Sequence, residues 1–142
     1  MNHKKKGPQL KGTLMLKLTK IREALASYAL NYESDESSSS EISYQINKDP
    51  LWGMIEKKVG NGFSPLAWGS EFTQEDVNYN RIYYHYYGGE QTDLVDHLGF
   101  KVTDKAGNSL TDQLEMEIKI SSDEIGGAYQ EYSDSNVRIN IL

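Results

Sequence analysis

The sequence predicts an all-β protein folded as an antiparallel β-sandwich, with one or two short helical insertions. Several segments alternate apolar and polar residues with a period of two, and glycine, asparagine and proline turns separate them at short intervals. Tyrosine, which favours strands, occurs ten times in the 142 residues. A chain of this length forms about one domain and can fold without a metal or a disulfide.

The first third of the chain is the least regular. "TLMLKL" (13–18) predicts a first strand, and "TKIREALASYAL" (19–30) has the apolar spacing of a helix of two or three turns. Its predicted apolar face holds Ile21, Leu25 and Tyr28. The serines and carboxylates of "NYESDESSSSE" (31–41) bury too little apolar surface to offset the entropy of ordering, so we expect a mobile surface loop.

A strand with one wet face follows, because Ile42, Tyr44 and Ile46 alternate with polar residues. Pro50 ends it, since proline donates no hydrogen bond and restricts the residue before it. "LWGMIEKKV" (51–59) is then expected to return as the strand paired with it. "GNG" (60–62) marks the next turn.

"EFTQEDVNYNRI" (71–82) carries a helix-start signature, because Thr73 and Asp76 have the spacing of a capping box. We expect a helix of about one turn. Asn80 then suits a left-handed backbone at a sharp exit.

Three later segments have the clearest alternation: "IYYHYY", "HLGFKVTD" and "QLEMEIKI". "GGEQTD" and "DKAGN" are the turns that follow the first and second of them. The predicted buried residues are Ile82, Tyr84, Tyr86, Leu98, Phe100, Val102, Leu114, Met116, Ile118 and Ile120. "NVRINIL" (136–142) alternates again and predicts either an extra edge strand or the start of a following module.

Composition excludes several function classes. The net charge of −6 and the pI near 5.0 disfavour general nucleic-acid binding. The basic run at 3–6 is expected to be a frayed or added terminus. No apolar stretch reaches the length of a membrane span, so the chain as written is expected to be soluble without direct membrane insertion. The absence of cysteine removes disulfides and thiolate chemistry.

Together these motifs resemble the chondroitin sulfate proteoglycan repeat, a cadherin-like module of the Fras and Frem matrix proteins. The similarity covers roughly residues 13–120, and "FTQEDV" (72–77) carries most of its specificity. Other matching positions include Tyr44 and Ile46, Pro50 and Gly53, Ile82 and Tyr84, and Asp96 through Asp104. Asn80, Glu33 and Leu98 depart from the family pattern.

The resemblance implies a Greek-key sandwich of the cadherin or immunoglobulin type, with 1–12 a flexible N-terminal segment and 13–120 the module. Residues 121–142 would form a linker and an edge strand, or begin a following module, such as a Calx-β domain. The implied function is a non-catalytic, extracellular adhesion module of the matrix or cell surface. Its expected partners are other matrix or cell-surface proteins and neighbouring modules of the same chain.

Calcium is the cofactor that the acidic residues suggest, because Ca²⁺ takes six to eight oxygen ligands and accepts carboxylates from a loop. Glu33, Asp35, Glu36 and Glu41 are the candidates in the serine-rich segment, with Asp96, Asp104 or a neighbouring module needed to complete the shell. The predicted set is Glu33, Asp35, Asp96 and Asp104. The alternative is a solvated acidic loop that holds no ion.

Aromatic residues are the second candidate site. Trp52, Trp68, Tyr83 and Tyr87 supply contact area for a sugar or a protein, although core packing can account for at least half of them. His85, without zinc-ligand spacing, is expected on the wet face beside Tyr83. The predicted partner-contact residues are Tyr83, His85, Tyr87 and Trp52.

Two alternative functions remain open. A carbohydrate-binding module predicts Trp52 or Trp68 exposed in a groove. A sandwich-fold enzyme predicts close carboxylates in a cleft, with Asp96 and Asp104 needed for turnover.

Overall fold

Two β-sheets pack face to face in the computed structural model, which describes residues 7–89, 93–121 and 125. The five-stranded sheet has the spatial order β2 (Met15–Lys17), β11 (Ser109–Ile120), β10 (Leu94–Thr103), β5 (Ser43–Lys48) and β8 (Glu71–Thr73). The four-stranded sheet has the order β3 (Arg22–Ala24), β9 (Ile82–Tyr86), β6 (Gly53–Val59) and β7 (Gly62–Leu66). The short β1 (Gln9–Leu10) and β4 (Tyr32–Glu33) form a separate pair. The predicted all-β sandwich is confirmed.

The core lies between the two sheets and follows the predicted alternation. Nine of the ten predicted core residues are buried, and Leu114 packs against the core while partly exposed. Tyr44 lies at the centre of an aromatic cluster, stacked on Phe72 and edge-on to Tyr32 and Phe100. Burying one such side chain contributes roughly 1.5–3 kcal/mol. The period-two pattern therefore identified the core correctly.

The predicted pairing of β5 with the strand after Pro50 is wrong. β5 pairs with β10 and β8, whereas β6 pairs with β7 and β9 in the other sheet. Asp96 of β10 accepts hydrogen bonds from the amides of Leu51 and Trp52, and this holds the connection as it crosses between the sheets. Turn residues indicate that the chain reverses, but they do not indicate which strand it will pair with. The "GNG" turn is confirmed, since Val59 pairs with Gly62 and Gly60 has a φ of 60°.

The helix predicted in residues 19–30 is also absent. Arg22–Ala24 forms β3, which pairs with β9, and a turn follows in which Ala29 and Leu30 donate to the carbonyl of Ala26. Ile21 and Leu25 are four residues apart, a spacing that fits one helical face and equally one strand face, because four is a multiple of two. Tyr28, the third member of the supposed face, is 58% exposed. The backbone pairing offered by β9 decides the outcome.

Ordered structure begins before Thr13, the predicted start of the module. β1 pairs with β4, and the amides of Lys11 and Gly12 both donate to the carbonyl of Asn31. A Cβ atom on Gly12 would lie 2.5 Å from the carbonyl oxygen of Ala29, so this close approach requires glycine. β2 then pairs parallel to β11, and the sandwich is therefore not purely antiparallel.

The serine-rich segment 31–41 is more regular than the expected loop. It contains β4, a bridge between Ser34 and Ser37, and a 3₁₀ helix at Ser39–Glu41. The backbone amide of Ser38 donates to Glu41 over 2.8 Å, which caps the 3₁₀ helix. This local hydrogen bonding supplies order that the hydrophobicity of the segment does not predict.

The capping box and the one-turn helix are confirmed as α1 (Gln74–Asn78). The amide of Asp76 donates to Thr73 Oγ1, and the amide of Thr73 donates to Asp76 Oδ2, both over 3.0 Å. Burial opposes ionisation of Asp76, but the hydrogen bonds from Thr73 and Arg81 and the charge of Lys57 outweigh it and lower its pKa. Asn80 has the predicted left-handed backbone, with a φ of 56°.

The sandwich has two distinct ends, which we call the Asp96 end and the Asp104 end after the aspartates near the two ends of β10. Leu94 lies opposite Ile120 at the Asp96 end, and Thr103 lies opposite Ser109 at the Asp104 end. Gly7 lies beside Asn108, so the described chain begins at the Asp104 end and leaves β11 at the Asp96 end. The predicted "NVRINIL" strand lies outside the described residues, as does part of the "GGEQTD" turn.

Candidate functional site

The outer surface of the four-stranded sheet carries the aromatic residues predicted to contact a partner. Tyr83 and His85 alternate with the buried residues of β9 and therefore point away from the core. Across the neighbouring strands, His85 lies opposite Arg22 and Met54, and Tyr83 lies opposite Glu56. We call this surface the tyrosine face, formed by Arg22, Met54, Glu56, Phe63, Tyr83 and His85, with Trp52 and Tyr87 at its edge.

Trp52 and Tyr87 adjoin the tyrosine face at the Asp96 end. They lie side by side, because the amide of Tyr87 donates to the carbonyl of Trp52 over 3.0 Å. The side chain of Tyr87 is 66% exposed and that of Trp52 is 38% exposed. All four predicted partner-contact residues therefore lie on or beside one continuous surface.

Glu56 is the unexpected member of this surface, because its carboxylate is buried although it projects from the outer side of the sheet. Arg22 Nε donates to Glu56 Oε1 over 2.9 Å, and His85 Nδ1 lies 3.2 Å from Glu56 Oε2. Arg22 Nη2 also lies 3.2 Å from the same histidine nitrogen. Nδ1 can donate to Glu56 or accept from Arg22, but it cannot do both. The three side chains thus fix one another in place.

Ring contacts complete the tyrosine face. The guanidinium carbon of Arg22 lies 3.9 Å above the centre of the Phe63 ring, a cation–π contact. Phe63 meets the Tyr83 ring edge-on, with centroids 5.2 Å apart. The face is therefore held rigid by contacts among its own side chains before any partner arrives.

The four predicted calcium ligands are not brought together. Asp96 is buried and accepts hydrogen bonds from the amides of Leu51, Trp52 and His97 and from the hydroxyl of Tyr84. Asp104 lies eight residues further along the chain, which corresponds to about 26 Å in an extended strand. Asp96 therefore cannot share an ion with the other three residues.

Asp104 does lie near the serine-rich segment. Ser34 Oγ donates to Asp104 Oδ2 over 3.0 Å, and the amides of Ala106 and Asn108 donate to Oδ1. Burial opposes ionisation, but these bonds together with the Asn108 side chain outweigh it and lower the pKa of Asp104. Glu33 and Asp35 are exposed. In residues 7–89, 93–121 and 125, no group of three or more acidic or histidine side chains is placed to hold a metal ion.

The two tryptophans occupy different settings. Trp52 belongs to the edge of the tyrosine face, while Trp68 is 72% exposed on a turn in which Ser70 N donates to the carbonyl of Ala67. Neither tryptophan lines the polar pocket described below.

Sequence reasoning missed Arg22, Glu56 and Phe63. Arg22 lay in a segment interpreted as a helix, and Glu56 lay in a strand that was paired with the wrong neighbour. The sequence signalled only one of the three, because the alternation of its strand places Glu56 on the outer side. That position predicts an exposed carboxylate and not a buried one.

Comparison with known protein families first shows the class of protein to which the chain belongs. The cadherin-like family matches residues 8–120, which is most of the chain and includes every strand of both sheets, so the chain belongs to this family. This confirms the resemblance drawn from the sequence motifs.

The relatives are extracellular matrix proteins. Extracellular matrix organizing protein FRAS1 of Mus musculus is 29% identical over 113 residues, covering 77% of this chain and 3% of the relative. FRAS1-related extracellular matrix protein 1 of Homo sapiens is 28% identical over 102 residues, covering 72% of this chain and 5% of the relative. The chain thus spans only a small part of the curated relatives it matches. No solved structure matches it significantly.

These relatives confirm the extracellular location expected from the resemblance. No helix in the described part of the chain has the length and apolar character needed to cross a membrane.

Proposed function

We propose that this module is a non-catalytic spacer of the extracellular matrix whose tyrosine face binds another matrix or cell-surface protein. The observation that carries the proposal is a partly exposed aromatic surface whose side chains are already fixed. Arg22, Glu56 and His85 hold one another, and Arg22 and Tyr83 both contact Phe63. A partner that docks here loses little affinity to the ordering of side chains.

The spacer role is supported by where the chain enters and leaves the sandwich. Gly7 lies at the Asp104 end, and β11 delivers the chain to the Asp96 end. β11 has 12 residues, so it separates the two ends by about 40 Å. Modules joined through opposite ends extend a chain instead of folding it back, which suits contacts with neighbouring modules on either side.

The contact role is supported by residue type and position. Tyrosine, tryptophan and arginine are enriched among residues that dominate binding energy at protein interfaces. Tyr87 and Trp52 lie at the end where the chain leaves β11, so the tyrosine face reaches towards whatever follows the module.

The non-catalytic character is supported by the separation of the candidate carboxylates. Asp96 and Asp104 lie near opposite ends of β10, and both are occupied by hydrogen bonds from the protein. The paired carboxylates of glycoside hydrolases, by comparison, lie within roughly 10 Å of each other.

Calcium stays a prediction, now limited to the Asp104 end, where Asp104 lies beside the segment that carries Glu33 and Asp35. A ligand that binds only the folded chain raises its melting temperature. Thermal melts with calcium and with a chelator test this directly. Equal melting temperatures would contradict calcium binding and favour the alternative of a solvated acidic segment.

The proposed contact is tested by retention of the purified chain on decellularised extracellular matrix. Changing Tyr83 and Tyr87 together to serine should lower the retained fraction at least about tenfold, as expected for central interface aromatics. Tyr79→Ser is the matched control, because Tyr79 is 67% exposed and lies at the C-terminal end of α1.

Circular dichroism melts of each variant establish that the fold is intact. Equal retention of the double variant and the parent chain would contradict the contact role. The same holds if Tyr79→Ser lowers retention as much as the double variant, because the loss would then not be specific to the tyrosine face.

A further inference from the structure

A polar pocket lies between the serine-rich segment and α1, on neither the tyrosine face nor the Asp96 end. Its volume is about 320 Å³, near the lower limit of pockets that bind small molecules. Its walls carry hydroxyl and amide groups from three separate segments, and Glu33 is the one carboxylate in its lining among the residues that the structure describes. The lining includes Ser27, Asn31, Glu33, Ser34, Ser39 and Asn78.

The floor of the pocket is rigid because every hydrogen-bonding group of the Gln74 side chain is occupied. Gln74 Oε1 accepts from the amide of Tyr32 and from the hydroxyl of Tyr44. Gln74 Nε2 donates to the carbonyl of Leu30 and to Asn78 Oδ1, both over 3.0 Å. This network ties α1 to the segment on the far side of the pocket, so the pocket keeps its shape without a ligand.

The walls retain unused hydrogen-bonding capacity of both kinds. Since Asn78 Oδ1 is taken by Gln74, the Asn78 Nδ2 group is left to donate. Ser37 Oγ accepts from the amide of Lys105, which leaves its own proton free, while Ser34 Oγ donates to Asp104 and keeps acceptor lone pairs. Donors and acceptors are thus interleaved around one small volume.

The negative charge in and around the pocket limits the chemical class of ligand that the pocket can bind. An anion would meet Glu33 together with the neighbouring exposed Asp35 and Glu36. A calcium ion needs six to eight oxygens, commonly from several carboxylates, and a single lining carboxylate supplies two. An apolar ligand would leave the wall groups without partners, which is costly.

We propose that this pocket binds a neutral sugar, one or two rings in size, through the hydroxyl groups of the sugar. Each sugar hydroxyl donates and accepts, which matches the alternation of donors and acceptors on the walls. Tyr32 and Ile42 belong to the lining but are almost wholly buried in the core, so a sugar here is held mainly through its hydroxyl groups. The site is independent of the proposed contact through the tyrosine face.

The test is a titration of the isotope-labelled full chain, followed by nuclear magnetic resonance, with glucose, galactose and N-acetylglucosamine in turn. At least one sugar should give saturable amide shifts confined to residues 27–39 and 74–78, with a Kd on the order of 1 mM. N-acetylglucosamine 6-sulfate should bind more weakly than its neutral parent, because its charge faces Glu33. Calcium chloride is titrated separately: an ion bound by Asp104 with Glu33 and Asp35 should shift the amides near those residues and leave the amides of 74–78 unchanged.

The variant for this test is Asn31→Ala combined with Ser39→Ala, since neither side chain has a hydrogen-bond partner among the described residues and the fold should survive. It should weaken binding at least tenfold, while Asn61→Ala, on the β6–β7 turn and outside the pocket lining, should bind like the parent. The proposal is overturned if no sugar gives saturable shifts in the pocket, if the shifts persist in the double variant, or if the sulfated sugar, or calcium at residues 74–78, produces them better.

Discussion

Asp96 and Asp104 are both buried near the two ends of β10, and each accepts four hydrogen bonds, yet the donors come from different distances along the chain. Asp96 accepts from the amides of Leu51 and Trp52, 45 and 44 residues away, and from the hydroxyl of Tyr84 in the facing sheet. The amide of His97 is its one local donor. Asp104 binds mainly the two residues of its own turn, Ala106 and Asn108, with Ser34 as its one distant donor.

The difference separates a carboxylate that joins the two sheets from one that shapes a single turn. Without Asp96, the crossing from β5 to β6 loses the acceptor that holds it. Without Asp104, the turn after β10 loses local bonds that water can partly replace, since Lys105, Ala106, Gly107 and Asn108 are exposed. Two aspartates in similar sequence settings therefore carry unequal shares of the stability of the fold.

The largest expected effect comes from Asp96→Ala. It leaves three backbone amides and the Tyr84 hydroxyl without their acceptor, so the free energy of unfolding should fall by about 3 to 5 kcal/mol. Chemical denaturation measures this loss. Asp93→Ala, at an exposed aspartate three residues earlier, is the control and should change little. A loss below that of Asp104→Ala would reverse the comparison.

Gly53→Ala should have the next largest effect. A Cβ atom at Gly53 would overlap the ring of Tyr84, the residue that donates to Asp96. The strain should lower the free energy of unfolding by about 2 kcal/mol. Gly62→Ala, where the nearest atom to the added Cβ is 3.9 Å away, is the matched control. A melting temperature equal to that of the control would show that the Asp96 end tolerates repacking.

Asp104→Ala should cost about 1 kcal/mol, because its bonds are mostly local and close to solvent. The same denaturation measurement applies, with Asp112→Ala, at an exposed aspartate of β11, as the control. A loss as large as that for Asp96→Ala would mean that Ser34, and with it the serine-rich segment, depends on Asp104 more than the bond pattern indicates.

The smallest expected effect is a difference in pH dependence between the two ends. The Asp104 end should lose stability in acid, and the Asp96 end should lose stability in alkali. The pKa of Asp104 is lowered in the folded state, so its contribution is present at neutral pH and is lost as the pH falls below about 4. Burial and the hydrogen bond to Asp96 raise the pKa of Tyr84, so its contribution is lost as the pH rises above about 10.

Melting temperatures measured from pH 2 to 11 test both limbs. Asp104→Asn should flatten part of the acid limb, and Asp76, whose pKa is also lowered, keeps the rest. Tyr84→Phe should flatten part of the alkaline limb, and buried Tyr44, whose pKa burial also raises, keeps the rest. If each variant altered the opposite limb, the assignment of the limbs to the two ends would be wrong.

Sequence reasoning was most reliable where local chemistry alone decides the structure. The Thr73 and Asp76 capping box, the left-handed Asn80 and the alternation of β9 were all predicted correctly, because each depends on residues within one or two turns of backbone. Sequence reasoning failed at Arg22–Ala24, because the apolar spacing there fits both the helical period and the strand period. Pairing with β9 selects the strand.

The candidate sites divide in the same way. Outward aromatics at Tyr83 and Tyr87 follow from the strand period, and the sequence placed them on one surface. The burial of Glu56 between Arg22 and His85 did not follow, since the three residues come from three strands whose order in the sheet no local pattern encodes.

The sequence by itself determined which residues of each strand face the core, because a side chain in an extended chain can point only to one side or the other. Tertiary structure alone decided that β5 and β6 belong to different sheets and that the polar pocket forms between α1 and the serine-rich segment. Those outcomes depend on contacts between residues 30 to 45 positions apart, such as Leu51 with Asp96 and Tyr44 with Gln74. Such pairings are selected by the packing of the whole sandwich, and no segment read alone contains that information.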